Sequence, residues 1–524
     1  MGKYILKRFL HGLLSAFVVV AIVMIMIYSM LDRNLIFAAD NVYRNLGNNQ
    51  KTVYQYRKWQ EYGYINLLTY TDYLKMLARE GEIDQETREK AASIAKKEEN
   101  DSELVAEYVA KFKEYCAEEG YTVQRLNAIM ASPKKYASGG QQQLFAYRDR
   151  PLSSRLVGYV TGLIKVDNIH TVEEMEDEER GLTFTLHDPV YGGEKFAPAI
   201  IGNGTYHKYL LYFDHRFPFI HQNLVTLNLG KSYAVNAGID VFETMNKPQG
   251  AYVTRTVHYP TGHVEESADD LHTAVYVEGS LEGNQVNIDR FVDEYTSVTT
   301  EKAGLSKVGY SFKIGIIAVL LSYLLGIPLG ILMALYKDKL LDKICTFYII
   351  FIIAVPSLAY IFLFKAIGGK LGFPTTFDMD SSSALMYVLP VISLALPSIG
   401  NLMKWLRRFM IDQMNSDYVK FARSGGLSEG EIFRKHILKN AAIPIIHGIP
   451  AGVLGALVGA IITERVYVVP GAGNLLTVAI GVRDNGVIVG VTLFYAILSV
   501  VSIILGDVLM GMVDPRISYT SKSR

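Results

Sequence analysis

Residues 314–336 read IGIIAVLLSYLLGIPLGILMALY, a run of 23 residues that holds no Asp, Glu, Lys or Arg. An α-helix rises about 1.5 Å per residue, so about 20 apolar residues cross the hydrocarbon core of a bilayer. Four further uncharged runs of 20 to 23 residues follow at 344–364, 384–403, 441–463 and 487–506. A buried helix of a soluble protein can be as apolar as one such run, but five in succession predict membrane-spanning helices.

A sixth apolar run, Phe9–Leu31, lies near the N-terminus behind Lys3, Lys7 and Arg8. A secretory signal peptide is the alternative interpretation, but its apolar core has only about 7–15 residues and ends at a small-residue cleavage site. The nearest such site, Phe37–Ala39, has a bulky residue in place of a small one. We therefore predict an uncleaved first span, with residues 1–31 forming a cytoplasmic N-terminus and transmembrane helix 1.

Composition divides the chain into blocks. Hydrophobic residues make up 50% of the 524 residues and charged residues 20%, which excludes a disordered chain and argues against an ordinary soluble enzyme. Residues 1–31 hold three basic and no acidic residues, residues 32–310 have a net charge of −10, and residues 311–524 have a net charge of +7. An acidic block between two basic, apolar blocks indicates that the blocks lie in different compartments.

Short cytoplasmic loops of membrane proteins are enriched in Lys and Arg. If the N-terminus is cytoplasmic, the turn at 337–343, the stretch at 404–439 and the tail at 514–524 are cytoplasmic too, and these three segments carry 14 basic residues. The loops on the opposite side carry few, among them Lys370 and Arg483. The pattern predicts that both termini are cytoplasmic and that residues 32–310 lie outside the cell.

The outer segment, 32–310, is large enough for a core of its own. The Glu-, Lys- and Ala-rich stretch Gln85–Glu118 predicts helix with a break near 99–101. Alternating β-branched residues predict strands at Leu182–Leu186, Ala251–Val257 and Thr273–Val277. We therefore expect an extracellular α/β domain. The two cysteines form no disulfide framework or metal pattern, and we expect no catalytic, cofactor or metal site in the chain.

The most informative cytoplasmic stretch reads DYVKFARSGGLSE at 417–429 and KHILKNAAIP at 435–444. The pair Gly425-Gly426 predicts a helix stop with φ > 0. Ser428 and Glu431 have the spacing of a capping box that starts a second helix. The segment 412–440 is therefore predicted to be a helical hairpin, which serves either as a rigid surface for a partner or as a plain connector between spans.

This hairpin resembles the EAA loop of ABC-importer permeases, in the form found in dipeptide and oligopeptide permeases. In that family the loop is the coupling helix that sits in a groove of the ATPase. The first three positions of the loop fall on Lys420, Phe421 and Ala422, and its glycine falls on Gly426. The chain departs from the general pattern at the acidic start, and its proline is displaced to Pro444.

Other segments resemble the same family in chain order: GIPLG at 326–330, AVPS at 354–357, ERVYVVPGAG at 464–473, DPR at 514–516 and, before the second span, NLGKS at 228–232. The long segment between the first two spans is similar to that of the B-type, AmiC-like oligopeptide permeases of streptococci and related Gram-positive bacteria. Together the segments are far more specific than any one of them.

The resemblance implies a type I ABC importer permease fold, an α-helical polytopic membrane protein with six transmembrane helices and the large extracellular α/β insert. Residues 311–513 would form the permease domain. The chain would be a transport subunit rather than an enzyme and would bind no cofactor, since ATP is bound by partner subunits. The implied partners are a second homologous permease subunit, two cytoplasmic ATPase subunits, an extracellular lipid-anchored peptide-binding protein and the peptide. The implied ATPase-coupling residues are Lys420, Phe421, Ala422, Arg423, Gly426, Leu427, Ser428 and Glu431.

Other interpretations remain open. The substrate could be a dipeptide, a nickel chelate or glutathione. A membrane sensor with an extracellular ligand domain would need a cytoplasmic output domain, and only 13 residues follow Gly511. An intramembrane enzyme would need a nucleophile or paired carboxylates inside the spans, and the apolar runs contain no Asp or Glu. Glu464 and Asp507 stand at span ends within expected reach of water, which favours anchoring or packing over ion transport.

Overall fold

A computed structural model describes residues 2–30, 32–92, 102–126, 143–166, 181–187, 193–194, 196, 198–203, 209–213, 220–222, 225–259, 261–276, 286–291, 296–378 and 383–513. The predicted cytoplasmic tail, 514–524, lies outside these residues. Contacts divide the chain into two compact units. The helical unit comprises Met1–Met24, Gly238–Val253 and Glu301–Arg524, and the inserted unit comprises Ile25–Ala237 and Thr254–Thr300.

Before residue 300, one long helix is followed by short helices and strands. The helices are α1 Gly2–Met30, α2 Asn41–Asn45, α3 Asn48–Glu61, α4 Tyr70–Arg79, α5 Gln85–Ala91, α6 Glu103–Glu118, α7 Leu152–Thr161, α8 Val241–Asn246 and α9 Val286–Arg290. The strands are β1 Ile65–Thr69, β2 Thr122–Leu126, β3 Gln143–Asp149, β4 Ile164–Val166, β5 Gly181–Thr185, β6 Ala199–Asn203, β7 Tyr209–Phe213, β8 Ile220–Gln222, β9 Val225–Leu227, β10 Arg255–His258, β11 Val264–Ser267, β12 Asp269–Tyr276 and β13 Thr296–Thr300.

The inserted unit combines helices with antiparallel sheets. Its larger sheets have the strand orders β1-β3-β2 and β5-β6-β7-β8. One core lies between α4, α6 and β3, where Tyr70, Phe112 and Leu144 are almost fully buried. The predicted helix Gln85–Glu118 is confirmed as α5 and α6, and its predicted break at 99–101 falls outside the described residues.

One predicted strand is wrong over its first half. Strand β10 begins only at Arg255, whereas the sequence pattern suggested Ala251. Ala251 and Val253 hydrogen-bond instead to Ala303 and Glu301, within the helical unit. Residues 251–254 alternate in the same way as the residues of β10 that follow them. Local sequence therefore does not show that the first half of the predicted strand pairs with a different segment.

Ten helices of the helical unit follow residue 306 in the described part of the chain. They are α10 Lys307–Leu335, α11 Leu340–Ala354, α12 Ser357–Lys370, α13 Val388–Met414, α14 Asp417–Ser424, α15 Glu429–Ile432, α16 Leu438–His447, α17 Ile449–Tyr467, α18 Ala472–Val482 and α19 Asn485–Val513. A 3₁₀ turn, Ala384–Tyr387, leads into α13, and a π-helical turn, Phe433–Ile437, joins α15 to α16.

Among the described residues, five helical segments are long and apolar enough to cross a membrane: Ile5–Ser29, Lys307–Leu335, Ala384–Met414, Ile449–Tyr467 and Asn485–Val513. A sixth span is obtained if α11 and α12, which are bent by 110°, count as one. This agrees with the predicted polytopic helical architecture, but the predicted run 344–364 is not one straight helix. Val355 has the extended backbone (ψ 127°) that a following proline favours, and Pro356 lacks the N–H that would continue the helix.

The predicted run 441–463 is also divided. Helix α17 begins at Ile449, and Gly448 separates it from α16. Pro450 occupies the first turn of α17, where its missing N–H breaks no intrahelical bond.

The motif GIPLG lies where α10 crosses α13. A Cβ on Gly326 would lie 3.0 Å from the Leu402 side chain, and one on Gly330 would lie 3.2 Å from Leu406. The Ser322 hydroxyl, one turn earlier, donates to the Ala318 carbonyl of its own helix at 2.6 Å and also lies 3.2 Å from the Ala395 carbonyl of α13. The two glycines therefore let α13 approach α10 closely. The hairpin follows directly after α13 in the chain.

Candidate functional site: the helical hairpin and its anchors

The candidate site is the hairpin formed by α14, the turn at Gly425-Gly426 and α15. Helix α14 ends in a Schellman motif: the Leu427 N–H donates to the Ala422 carbonyl at 3.2 Å, and the Gly426 N–H donates to Arg423 at 3.1 Å. Gly426 has φ +83°, in the left-handed region that disfavours side chains. The predicted glycine stop is confirmed, and Gly426 is the residue that requires it.

The second helix starts at the predicted capping box. The Ser428 hydroxyl accepts from the Glu431 N–H at 3.4 Å, and the Glu431 carboxylate accepts from the Ser428 N–H at 3.3 Å. Across the turn, the Arg423 guanidinium donates to both carboxylate oxygens of Glu429, at 2.5 and 3.0 Å. The cap fixes the start of α15, and the ion pair links it to the end of α14.

The hairpin is held to the rest of the unit by a small apolar core. Val419 of α14 and Ile432 of α15 are fully buried, and they pack with Leu406 and Met410 of α13. Ile437 in the π-helical turn belongs to the same cluster. Movement of the hairpin would therefore be transmitted directly to the end of α13.

The eight predicted coupling residues all lie on the hairpin, and most of them face outward. Phe421 is 79% exposed and Leu427 is 37% exposed. Lys420, Arg423, Gly426, Ser428 and Glu431 are also exposed. Ala422 differs, because it is half-buried and packs on the apolar core that holds the hairpin to the rest of the unit.

Local hydrogen bonds lower the pKa of the carboxyl groups on the hairpin. Lys420 lowers the pKa of Asp417, Arg423 lowers that of Glu429, and Ser428 lowers that of Glu431, with Lys435 contributing to the last. A carboxyl whose folded pKa is depressed contributes stability above its unfolded pKa and loses it as the pH falls through the folded pKa. At neutral pH these carboxyl groups are therefore ionised, and their contacts contribute their full stabilisation.

An ion pair that the sequence did not reveal ties α13 to α11. The Arg407 guanidinium donates from Nε and from a terminal nitrogen to the two oxygens of Asp342, both at 2.7 Å. The Asp338 N–H also donates to Asp342, at 2.9 Å. Only 4% of the Asp342 side chain is exposed, against 27% for Arg407. The pair joins the first turn of α11 to the last turns of α13, just ahead of the hairpin.

Replacing Asp342 with alanine should destabilise the helical unit by up to about 3 kcal/mol, because it leaves Arg407 without its buried partner. The pair variant Asp342→Leu with Arg407→Met should cost less than the single change, since no charge is left uncompensated. Thermal unfolding of the purified protein in detergent measures both. Equal losses in the single and the double variant would contradict this account.

Glu464 lies deeper than its sequence position indicated. It is completely buried, so the expectation that water reaches it is wrong. Its carboxylate accepts from the Ser311 hydroxyl at 2.5 Å and from the Asn474 N–H at 2.9 Å. Ser311 in turn accepts from the Ala472 N–H at 2.9 Å. Glu464 thus caps the start of α18 from a neighbouring helix, which agrees with the anchoring role favoured over ion transport.

Glycines in the motif that follows Glu464 make room for its carboxylate. A Cβ on Gly471 would lie 2.3 Å from the carboxyl carbon, and one on Gly473 would lie 3.0 Å from a carboxylate oxygen. The segment 464–473 is therefore a packing motif in which acid and glycines depend on one another. The sequence feature that indicates this packing motif is a single acidic residue directly after an apolar run, followed by Pro470 and Gly471.

Comparison with known proteins identifies the family. The family model for the binding-protein-dependent transport system inner membrane component matches residues 326–519. The oligopeptide transport system permease protein AmiC of Streptococcus pneumoniae is 33% identical over 528 residues, covering 100% of this chain and 99% of AmiC. The dipeptide transport system permease protein DppB of Bacillus subtilis is 31% identical over 215 residues, covering 40% of this chain and 68% of DppB.

A crystal structure of an amino acid ABC transporter with histidines covers 40% of this chain and 92% of its own, at 18% identity and a TM-score of 0.32, values too low to support an argument about the fold. The match to AmiC runs from end to end and includes the long segment between the first two spans. The chain therefore belongs to the binding-protein-dependent transport system inner membrane components, the permease subunits of ABC importers.

Proposed function

We propose that this permease forms part of the path by which an ABC importer carries oligopeptides across the cell membrane. The observation that carries the proposal is the full-length match to AmiC, because the match to a dipeptide permease covers only 40% of the chain. Dipeptides are the second candidate substrate. Importers of a nickel chelate or of glutathione are weaker alternatives, and a membrane sensor is weaker still.

The proposed complex contains a second homologous permease, two cytoplasmic ATPase subunits and an extracellular lipid-anchored peptide-binding protein. Both termini lie in the cytoplasm of a Gram-positive bacterium, and residues 32–310 lie outside, as the loop charges predict. ATP is hydrolysed by the ATPase subunits, and the 412–440 hairpin passes their movement to α13. Access then alternates between the two sides by rigid-body motion.

Affinity purification from native membranes, combined with peptide uptake, tests this assembly. A tagged chain should recover the ATPases, the second permease and the binding protein. Labelled peptides of graded length should be taken up, with peptides longer than two residues competing better than dipeptides. Better competition by dipeptides would favour the second candidate substrate. Absence of ATPases from the recovered complex would contradict the coupling role proposed for the hairpin.

Replacing Phe421 with aspartate should abolish recovery of the ATPases while leaving the fold intact. The side chain is 79% exposed, so the chain itself loses little packing. An apolar anchor at the centre of a docking surface is worth about 2 kcal/mol or more, which is over tenfold in affinity. Co-purification and peptide uptake measure the effect.

The control is Phe421→Leu, which keeps an apolar side chain and should retain most of the ATPase. Normal ATPase recovery with Phe421→Asp would show that the hairpin docks by another surface.

A further inference from the structure

A groove of about 620 Å³ runs between α1 and α19, within the helical unit. The helices meet where Gly12 faces Val500: a Cβ on Gly12 would lie 2.2 Å from a Val500 methyl group. On α1 the groove is lined by one face of the helix, from Lys7 to Val19, and on α19 by Ala496 to Ile504. Both helices are candidate spans, so the groove lies along part of the bilayer's depth.

The groove is polar at one end and apolar along the rest. Lys7, Arg8 and His11 line the end near the N-terminus of α1, and all three are exposed. Arg8 also lies 3.4 Å from Asp507, which offsets one of the two permanent positive charges. The end therefore retains a net positive charge together with the hydrogen-bonding groups of His11.

The apolar part of the groove is suited to contact with a hydrocarbon chain. Apart from Ser15 and Ser499, the residues beyond His11 are Gly12, Ala16, Val19, Ala496, Val500, Ile503 and Ile504. A soluble anion would occupy only the basic end. A ligand that fills the whole groove needs an anionic head at the interface and an apolar tail inside the bilayer.

We propose that this groove binds an anionic phospholipid, with its phosphate held by Lys7, Arg8 and His11 and one acyl chain lying in the groove alongside the contact between α1 and α19. Basic pockets between helices at a membrane surface bind anionic headgroups in this way. The bound lipid would complete the packing of the first span on the last one. The proposal does not depend on which substrate the importer carries.

Native mass spectrometry of the full-length protein in mild detergent tests the site, using phosphatidylglycerol and phosphatidylcholine with identical acyl chains. The wild type should retain phosphatidylglycerol preferentially. Lys7→Gln should weaken that retention about fivefold, the effect expected from one basic residue near a membrane surface. Lys337→Gln is the matched control, because it removes an exposed lysine from the turn after α10 and should change nothing.

A second variant, Ser499→Phe, fills the apolar part of the groove while leaving the charges in place. It should lower retention of both lipids. Equal retention of the two lipids by the wild type, or equal effects of Lys7→Gln and Lys337→Gln, would overturn the proposal. Displacement of the lipid by inorganic phosphate alone would indicate a simple anion site and would overturn it too. If Ser499→Phe spares lipid but lowers recovery of a second membrane subunit, the groove holds a helix of that subunit instead.

Discussion

Replacing Gly426 with valine should abolish peptide uptake and ATPase recovery while the chain still inserts in the membrane. Gly426 has φ +83°, and among the described residues nothing lies within 4 Å of a Cβ built there. The penalty is therefore one of backbone conformation, roughly 1 kcal/mol or more, and greatest for a β-branched side chain. Insertion is set by apolar spans and loop charges, which the substitution does not touch.

The effect on function should exceed the effect on stability, because the Schellman turn sets the angle between α14 and α15. Loss of the two turn hydrogen bonds would move Phe421 and Leu427 relative to each other. Detergent co-purification of the ATPases and uptake of a labelled peptide measure the loss, and membrane fractionation checks insertion.

The neighbouring glycine provides the matched control. Gly425 has φ −75°, and a Cβ there would meet the carbonyls of Phe421 and Ala422 at ordinary contact distance, 3.4 Å. Gly425→Ala should therefore be tolerated, and Gly426→Asn should be intermediate because Asn adopts the left-handed region more readily. Full transport and normal ATPase recovery with Gly426→Val would refute the coupling role of the hairpin.

Replacing Glu464 with alanine should destabilise the helical unit by roughly 3 kcal/mol or more. The change removes the acceptor for the Ser311 hydroxyl and the Asn474 N–H, and each buried polar group left unpaired costs about 1–3 kcal/mol. It also leaves a cavity against Gly471 and Gly473. Thermal unfolding in detergent, monitored through the loss of the helical circular dichroism signal, measures the effect.

The variant Glu464→Gln keeps the size and one acceptor oxygen, so its loss should be smaller. In Ser311→Ala, adding Glu464→Ala should cost less than it does in the wild type, because the two residues share a hydrogen bond. An unfolding temperature for Glu464→Ala equal to that of the wild type would show that the carboxylate does not hold α18.

The hairpin shows how much could be predicted locally. Gly426 and the Ser428–Glu431 box act within a few residues, so their spacing alone predicts the turn and the start of α15. Ala422 shows the limit, because its place in the motif indicated the docking face whereas its side chain is half-buried and packs on the apolar core shared with α13. Which side of a short helix is buried depends on α13, and local sequence does not contain that information.

By itself the sequence determined that this chain is a polytopic membrane protein with a helical hairpin after the apolar run at 384–403. Span length, loop charge and helix caps are properties of neighbouring residues, so a single chain displays them. Only the tertiary structure decided that Asp342 pairs with Arg407, 65 residues away, and that Glu464 meets Ser311, 153 residues away. Such partners are brought together by helix packing, where a buried charge must find a partner or lose its hydration uncompensated.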